Sequence, residues 1–295
     1  MPQPDAFFSE NEKNRVESGT LYLVSTPIGN LSDLSDRAKK VLSEVDFVAA
    51  EDTRNSGLLL SRFGIRRPMI SYHEHNKRER GAEIADRLAA GESCALVTDA
   101  GTPAVSDPGE DLVALCASRN IPVRAVPGPV ASIAALTLSG LSTARFCFEG
   151  FLPVGKTERR ERLASLTGES RTMLFHEAPH KLLRTLDDLR ETFGDDRRVA
   201  VCRELTKLNE EILRTTLGDA AEHFRVHAPR GEFVLVVDGA PETSPLPVQD
   251  MSISERVASY ESQGLSRKDA IKQTAHDLKV PKNEIYQVMI QEDLP

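Results

Sequence analysis

The sequence predicts an α/β fold made of two α/β domains, the first with a parallel sheet and the second with a mixed one, followed by a small helical module. Three observations point there. Short apolar runs alternate with amphipathic stretches from Gly19 to about residue 140. A second series of apolar runs begins at 145, only some of them separated by helical stretches. A proline-dense segment then precedes three stretches of helical period. At 295 residues the chain has the length of two domains, and with 40% hydrophobic and 28% charged residues it can bury a real core. No apolar run approaches the ~18 residues of a membrane span.

The first 18 residues (MPQPDAFFSENEKNRVES) lack the basic start and apolar middle of a secretory signal and are expected to form a flexible lead-in, so the protein is expected in the cytoplasm. The domain over 19–140 has candidate strands LYLVST (21–26), DFVAAE (46–51), MISY (69–72), CALVTD (94–99) and VRAV (123–126). Between them lie four helical patterns, DRAKKVLSEV, RNSGLLLSRFG, NKRERGAEIADRLAAG and GEDLVALCASRN, several ending on Gly or Asn as helices do. The domain over 141–240 has strands RFCFEGF (145–151), RTMLFHE (171–177), RRVAVCREL (197–205), EILRTTL (211–217) and GEFVLVVDG (231–239). PETSPLPV (241–248) holds three prolines in eight residues, so a stiff linker is expected over 241–250. The helical module over 251–295 has Ser266 as an N-cap and Pro281 at a helix start. It resembles a helix-turn-helix, yet it carries 6 basic against 7 acidic residues, which suits a packing appendage as well as a nucleic-acid reader.

Cys94, Cys116, Cys147 and Cys202 lie far apart, mostly inside apolar runs, and read as reduced core residues. The net charge of −8 argues against a generic nucleic-acid binder, but between Arg54 and Arg80 seven basic residues face two acidic ones. That island is a solvated surface or an anion-binding one.

Three groups of motifs carry candidate chemistry. Gly150 to Thr157 satisfies the pattern of a phosphate loop, but Pro153 removes one of the backbone donors such a loop needs. His176-Glu-Ala-Pro-His180 matches the zinc-protease pattern, but Pro179 breaks the helix that must carry both histidines. The better geometry ends a strand at Glu177 and starts a helix at Pro179, and no metal is expected. The third group is Ser25–Leu31 after the first strand, Thr98–Gly109 after the fourth and Pro127–Ser132 after the fifth. These Gly/Pro-rich turns emerge together at the carboxyl edge of a parallel sheet, where a ligand binds, and imply close backbone approach to it. No G-x-G-x-x-G follows the first strand, so a nicotinamide or flavin site is not supported.

Thr26-Pro-Ile-Gly-Asn-Leu31, Glu51-Asp-Thr-Arg54, Thr98–Pro103 with Ser106–Gly109, and Pro127-Gly-Pro129 resemble the tetrapyrrole methylase superfamily. Phe148–Pro153, Glu177-Ala-Pro-His180 and Arg203–Lys207 narrow the resemblance to the ribosomal RNA small subunit methyltransferase I family. The match runs in order over about 19–240. It implies a homodimer of two-domain subunits, with S-adenosylmethionine bent in the cleft, that methylates the ribose 2′-oxygen of cytidine 1402 in 16S ribosomal RNA of the small subunit. Carried over by position, the cofactor should meet Thr26, Pro27, Asp99, Ala100, Gly101, Thr102, Pro103, Val105, Ser106, Ala131, Ser132 and Ile133. From the second domain it should meet Phe175, Leu205, Glu232 and Phe233. A tetrapyrrole methylase and, more remotely, a phosphate-loop nucleotidase are the rival readings.

Methyl transfer to a hydroxyl needs a base within hydrogen-bond reach and a cation near the emerging alkoxide. Glu177 or Asp52 is the expected proton acceptor, and Arg54 or Lys207 is expected to fix the ribose-phosphate. The basic island should flank the cleft and hold RNA phosphates through Arg62, Arg66, Arg67, Lys77 and Arg78, with Tyr72 or His73 stacking on a base. Lys156, Arg159, Arg160 and Arg162 form a second contact strip.

Overall fold

Five parallel strands, β1 (Leu21–Val24), β2 (Phe47–Ala50), β3 (Met69–Ser71), β4 (Cys94–Val97) and β5 (Val123–Val126), form the first sheet in the order β3-β2-β4-β1-β5. The computed structural model describes residues 15–241, 252–262, 264–278 and 280–292, and the chain divides after Ala240 into two compact units. Four helices cross between these strands: α1 (Asp36–Glu44), α2 (Thr53–Arg62), α3 (Lys77–Ala89) and α4 (Glu110–Ser118). Side chains alternate across the pleat, so each strand feeds two cores. Tyr22, Val24, Val48, Ala50, Ala95 and Val97 pack toward Val41 and Leu42 of α1 and Leu60 of α2. Leu21, Phe47, Ala49, Cys94 and Leu96 pack toward Ile84 and Leu88 of α3 and Leu112 of α4.

The second sheet has the order β6-β7-β10-β8-β9, from β6 (Phe146–Gly150), β7 (Thr172–Glu177), β8 (Arg198–Arg203), β9 (Glu211–Thr216) and β10 (Phe233–Val237). β6 and β7 are parallel, whereas β10 runs antiparallel to β7 and β8, and β8 to β9, so the sheet is mixed as the uneven spacing of helical stretches implied. One face packs on α7 (Pro179–Phe193) and α8 (Leu217–Val226) through Met173, Phe175, Val201, Leu235 and Val237. Pro179 stands in the first turn of α7, the position its missing N–H permits. Helix α6 (Lys156–Ser165) packs on α7.

The other face of this sheet is covered by α5 (Ala131–Ser139), a helix that follows the last strand of the first sheet. Its sequence ASIAALTLS has no charged residue and no strong apolar stripe, so the sequence marks its start as a turn and not as a helix. Gly140, at φ +74, ends it in the left-handed conformation. Ala135 and Leu136 are buried with Leu174, Ala200, Cys202, Val234 and Val236. The first half of the chain thereby supplies part of the core of the second.

Cys94, Cys116 and Cys202 are buried free thiols and Cys147 is half-buried. Burial pushes the Cys202 and Cys147 thiols up to about 11, which keeps them protonated and unreactive. The lead-in expected over 1–18 lies outside the described residues as far as 14. Glu17 and Ser18 are held to the first unit by bonds from the Glu17 amide to the Tyr22 hydroxyl, 2.8 Å, and from Ser18 Oγ to the Gly91 carbonyl. The linker expected over 241–250 lies outside the described residues except for Pro241. In the second unit, α9 (Ile253–Ser262), α10 (Arg267–Leu278) and α11 (Lys282–Glu292) enclose a small core of Val257, Ala270, Ile271, Ala275 and Ile285. The Asp269 amide donates to Ser266 Oγ at 3.3 Å, the expected N-cap bond. Among the described residues no helix is long and apolar enough to cross a membrane.

Because Leu136 is 3% exposed and joins the two halves of the first unit, Leu136→Ala is expected to cost about 2–5 kcal/mol in urea unfolding.

Candidate functional site

The turns after β1, β4 and β5 meet at the carboxyl edge of the first sheet, and hydrogen bonds lock them together. The Thr26 amide donates to the Gly101 carbonyl at 2.8 Å and the Gly101 amide returns a bond to the Thr26 carbonyl at 3.1 Å. Thr102 Oγ1 donates to the Pro129 carbonyl at 3.2 Å, which leaves Ser25 Oγ, 2.8 Å away, as the donor to Thr102. A Cβ on Gly128 would stand 2.8 Å from Ser25 Cβ. This glycine permits the close approach of a neighbouring turn. Strain is concentrated one turn further on, where Ala104 and Ser106 take φ of +68 and +62.

Between this edge and the near end of the second sheet lies a cavity of about 440 Å³. Of the expected cofactor contacts, Asp99, Ala100, Val105, Ser106, Ala131, Leu205, Glu232 and Phe233 line it, together with Glu177. The others stand elsewhere. Thr26, Gly101, Thr102 and Pro103 belong to the interlocked turns; Ser132 and Phe175 are buried, and Ile133 is exposed. Pro27 lines a smaller hollow with Gly29, Asn55 and Asp99.

The cavity also takes residues to which sequence reasoning had given no role at this site: Glu51, Asp107, Phe151 and His176. Each stands inside or beside a quoted motif, but a motif identifies a turn without saying which of its side chains points inward. Glu51 Oε2 accepts from Thr98 Oγ1 at 2.9 Å, and Asp99 Oδ2 from Asn55 Nδ2 at 2.9 Å. Burial, reinforced by the charges of Glu51 and Asp99, pushes the Asp107 carboxyl up to about 6. Burial also holds the His176 imidazole below its ordinary range, and its Nε2 has no hydrogen-bond partner. Its ring meets Phe148 and Phe151 edge-on, with centroids 5.2 and 5.5 Å apart.

The residues expected to carry catalysis are differently placed from one another. Glu177 is 5% exposed; its Oε1 accepts from the Ala178 amide at 2.8 Å and its Oε2 from Thr185 Oγ1. Asp52 lies outside the cavity lining and binds the Arg54 guanidinium with both oxygens, at 3.0 and 2.7 Å. Those hydrogen bonds hold its carboxyl down at about 2, so it is a poor base at neutral pH. Lys207 bridges Glu204 at 2.8 Å and Glu232 at 3.0 Å, and its stem covers Gly29, where a Cβ would be 2.3 Å from Lys207 Cγ. Burial works against its charge, but the two carboxylates outweigh burial and raise its pKa. Lys207 thus clasps a loop of the second sheet onto a turn of the first.

Of the expected anion-contact residues, Arg62, Arg66, Arg78, Lys156 and Arg160 are exposed. Arg67 is half-buried and donates to the Ser43 carbonyl; Lys77 sits between Glu74 and Asp111, both at 2.8 Å; Arg162 binds Glu149. Arg159 corrects the sequence reading outright. It is 6% exposed, pairs with Asp188 at 2.6 Å and donates to Thr185 at 2.7 Å, so it supports Glu177 from behind. Tyr72, 1% exposed, is core and not available to stack on a base. His73 is half-buried.

Both decoy motifs resolve structurally. His176 lies in β7 and His180 in α7, so the two are not on one helix face. In the phosphate-loop match, a Cβ on Gly155 would stand 3.0 Å from Glu158 Oε2, so a carboxylate already occupies the start of α6.

The family profile for Tetrapyrrole (Corrin/Porphyrin) Methylases matches residues 20–221. A Synechocystis protein named Ribosomal RNA small subunit methyltransferase I is 47% identical over 92% of this chain and 98% of its own. A Bacillus subtilis protein of the same name is 42% identical over 92% of this chain and 94% of its own. Among solved structures, a cobalt precorrin-4 methyltransferase of cobalamin biosynthesis superposes with a TM-score of 0.56 at 18% identity, covering 75% of this chain and 95% of that one. A uroporphyrin-III C-methyltransferase from Thermus thermophilus, complexed with S-adenosyl homocysteine, superposes with a TM-score of 0.54 at 18% identity, covering 74% and 96%.

Removing Arg159 strands the partly buried Asp188 and loosens Thr185. Arg159→Ala is therefore expected to lose about 2–5 kcal/mol in urea unfolding, whereas Arg160→Ala, one position on and exposed, stays within about 0.5 kcal/mol of the parent.

Proposed function

Since the chain belongs to the tetrapyrrole methylase family, and within it to the ribosomal RNA small subunit methyltransferase I branch, we propose that it uses S-adenosylmethionine to methylate the ribose 2′-oxygen of a cytidine in 16S ribosomal RNA of the small subunit. The observation that carries this reading is the chemistry of the cavity lining. It holds five carboxylates, Glu51, Asp99, Asp107, Glu177 and Glu232, with no Lys or Arg. Such a lining suits a ligand with a sulfonium and an ammonium group and repels a nucleoside triphosphate. Ile28, Val105, Ala131, Leu205, Phe233 and Val234 supply apolar walls, and strand-end turns supply backbone groups for an adenosine.

S-adenosylmethionine, when bound, supplies an electrophilic methyl carbon. The chain's own residues have two tasks: to align the acceptor hydroxyl with that carbon, and to take its proton as the new O–C bond forms and the C–S bond breaks. Asp107 is the best-suited proton acceptor. It lines the cavity, and its elevated basicity brings it near the working pH while leaving it ionised there. Glu177, with both oxygens already accepting hydrogen bonds, orients the opposite wall. Lys207, clasped between Glu204 and Glu232, holds the two sides in register. The exposed cations Arg62, Arg66, Arg78, Lys156 and Arg160 are the groups we assign to RNA phosphates.

The deciding experiment incubates the protein with methyl-labelled S-adenosylmethionine and small subunits from a strain lacking this gene, then maps the label by nuclease digestion and mass spectrometry. Label on one cytidine ribose is the expected result; label on a base, or none on RNA, refutes the proposal. Asp107 must be deprotonated to accept a proton, and its raised pKa means that it protonates on descent through about 6. The single-turnover rate should therefore rise with pH through about 6 and level off above it, and Asp107→Asn should lower the rate ~10²–10⁴-fold. Arg66→Glu combined with Arg78→Glu is expected to weaken RNA binding and reduce the salt slope of log Kd by about 2, read from binding at several salt concentrations.

A further inference from the structure

Phe151 is 56% exposed although it lines the cavity, an unusual situation for a large aromatic side chain. The backbone around it accounts for this. β6 ends in a register shift between Phe148 and Gly150, and Gly150 at φ +62 turns the chain outward. Leu152, 6% exposed, then anchors the loop in the core, while Phe151 and Val154 (74% exposed) face solvent on either side of it. Val105, 45% exposed, is a second exposed apolar group in the cavity lining. The edge contact with His176 holds the Phe151 ring in place. Exposed cations follow at Lys156 and Arg160, within ten residues along the chain.

An exposed aromatic ring lining an acidic cavity, with exposed cations a few residues further along the chain, matches the chemistry of one unstacked nucleotide. Its base has a π-face for the ring, its flanking phosphates meet the cations, and its ribose reaches the cavity. An anionic phosphate belongs outside the carboxylate-lined interior, and the residues are distributed that way. We propose that Phe151 is the stacking platform for the nucleobase of the nucleotide to be methylated, so that the acceptor enters splayed out from its neighbours. The inference rests on the RNA-methyltransferase reading above.

The test compares steady-state methylation of small subunits by the parent, Phe151→Ala, Phe151→Tyr and, as a control exposed apolar site on α8, Val226→Ala. Stacking of one base is worth ~10–100-fold, so Phe151→Ala should raise KM for the subunit by that factor while KM for S-adenosylmethionine stays put. Phe151→Tyr should restore the parent value within a few-fold, and Val226→Ala should match the parent. In a binding assay with an RNA fragment, replacing the target nucleotide by an abasic one should weaken the parent by a similar factor and leave Phe151→Ala nearly indifferent, since the partner of the ring is already gone. An unchanged KM for the subunit in Phe151→Ala overturns the platform, as does a parallel rise in KM for S-adenosylmethionine, which would make Phe151 a wall of the cofactor site. Loss of self-association in Phe151→Ala with its subunit KM intact would also overturn it, by assigning the patch to contact with a second copy. If the parent protein transfers no methyl group to RNA, the reading beneath the inference fails instead.

Discussion

The packing of α5 on the second sheet is the constraint on which the cavity depends. A helix that follows the last strand of one sheet closes the apolar face of the other, burying Ala135 and Leu136 against Leu174, Ala200, Val234 and Val236. Without that contact the second sheet would present an apolar face to water, so the two halves of the first unit cannot separate cheaply. The cavity is the space left where this apolar seal ends. Its walls therefore come from both sheets, and Ala131, at the first turn of α5, is itself part of the lining.

Around that seal the polar residues do two different kinds of work. Interlocked turns at the edge of the first sheet use their hydroxyls and amides on one another, Thr26 with Gly101 and Ser25 with Thr102 and Pro129, and so form a rigid lip. Lys207 and the Arg159–Thr185–Glu177 chain provide comparable rigidity on the other side. Five carboxylates face the interior, where burial and the neighbouring charges of Glu51 and Asp99 raise the Asp107 pKa. A buried carboxyl group of this kind destabilises its ionised form and is tolerated where a ligand or a proton transfer uses it. The cationic groups lie outside this interior, so one small region separates attraction for a cationic donor from attraction for a polyanionic acceptor.

The two decoy motifs show how local chemistry can be read without tertiary contacts. Pro153 and Pro179 were sufficient to discount a phosphate loop and a zinc helix, because proline restricts the backbone in any context. The carboxylate of Glu158 at the start of α6 and the separation of His176 from His180 agree with that reading. The charge island was less informative. A count of cations cannot separate Arg66, exposed, from Lys77, held between two carboxylates, and the strip 156–162 hid Arg159 in the core because helix α6 turns one of its arginines inward.

What the sequence by itself determined was what local periodicity sets: the ten strands among the described residues, the parallel and mixed character of the two sheets, the cap at Ser266, the helix start at Pro179 and the turns that border the site. These are legible because alternation, proline geometry and capping act within a few residues. Tertiary structure decided the rest. α5 carries uncharged residues on its exposed side as well, Ile133 and Thr137 among them, so it has no amphipathic signature to read. The inward aim of Asp107 and His176, the burial of Tyr72 and Arg159, and the exposure of Phe151 depend on contacts between residues remote in the chain, and no pattern of spacing encodes which side of a turn another sheet will cover.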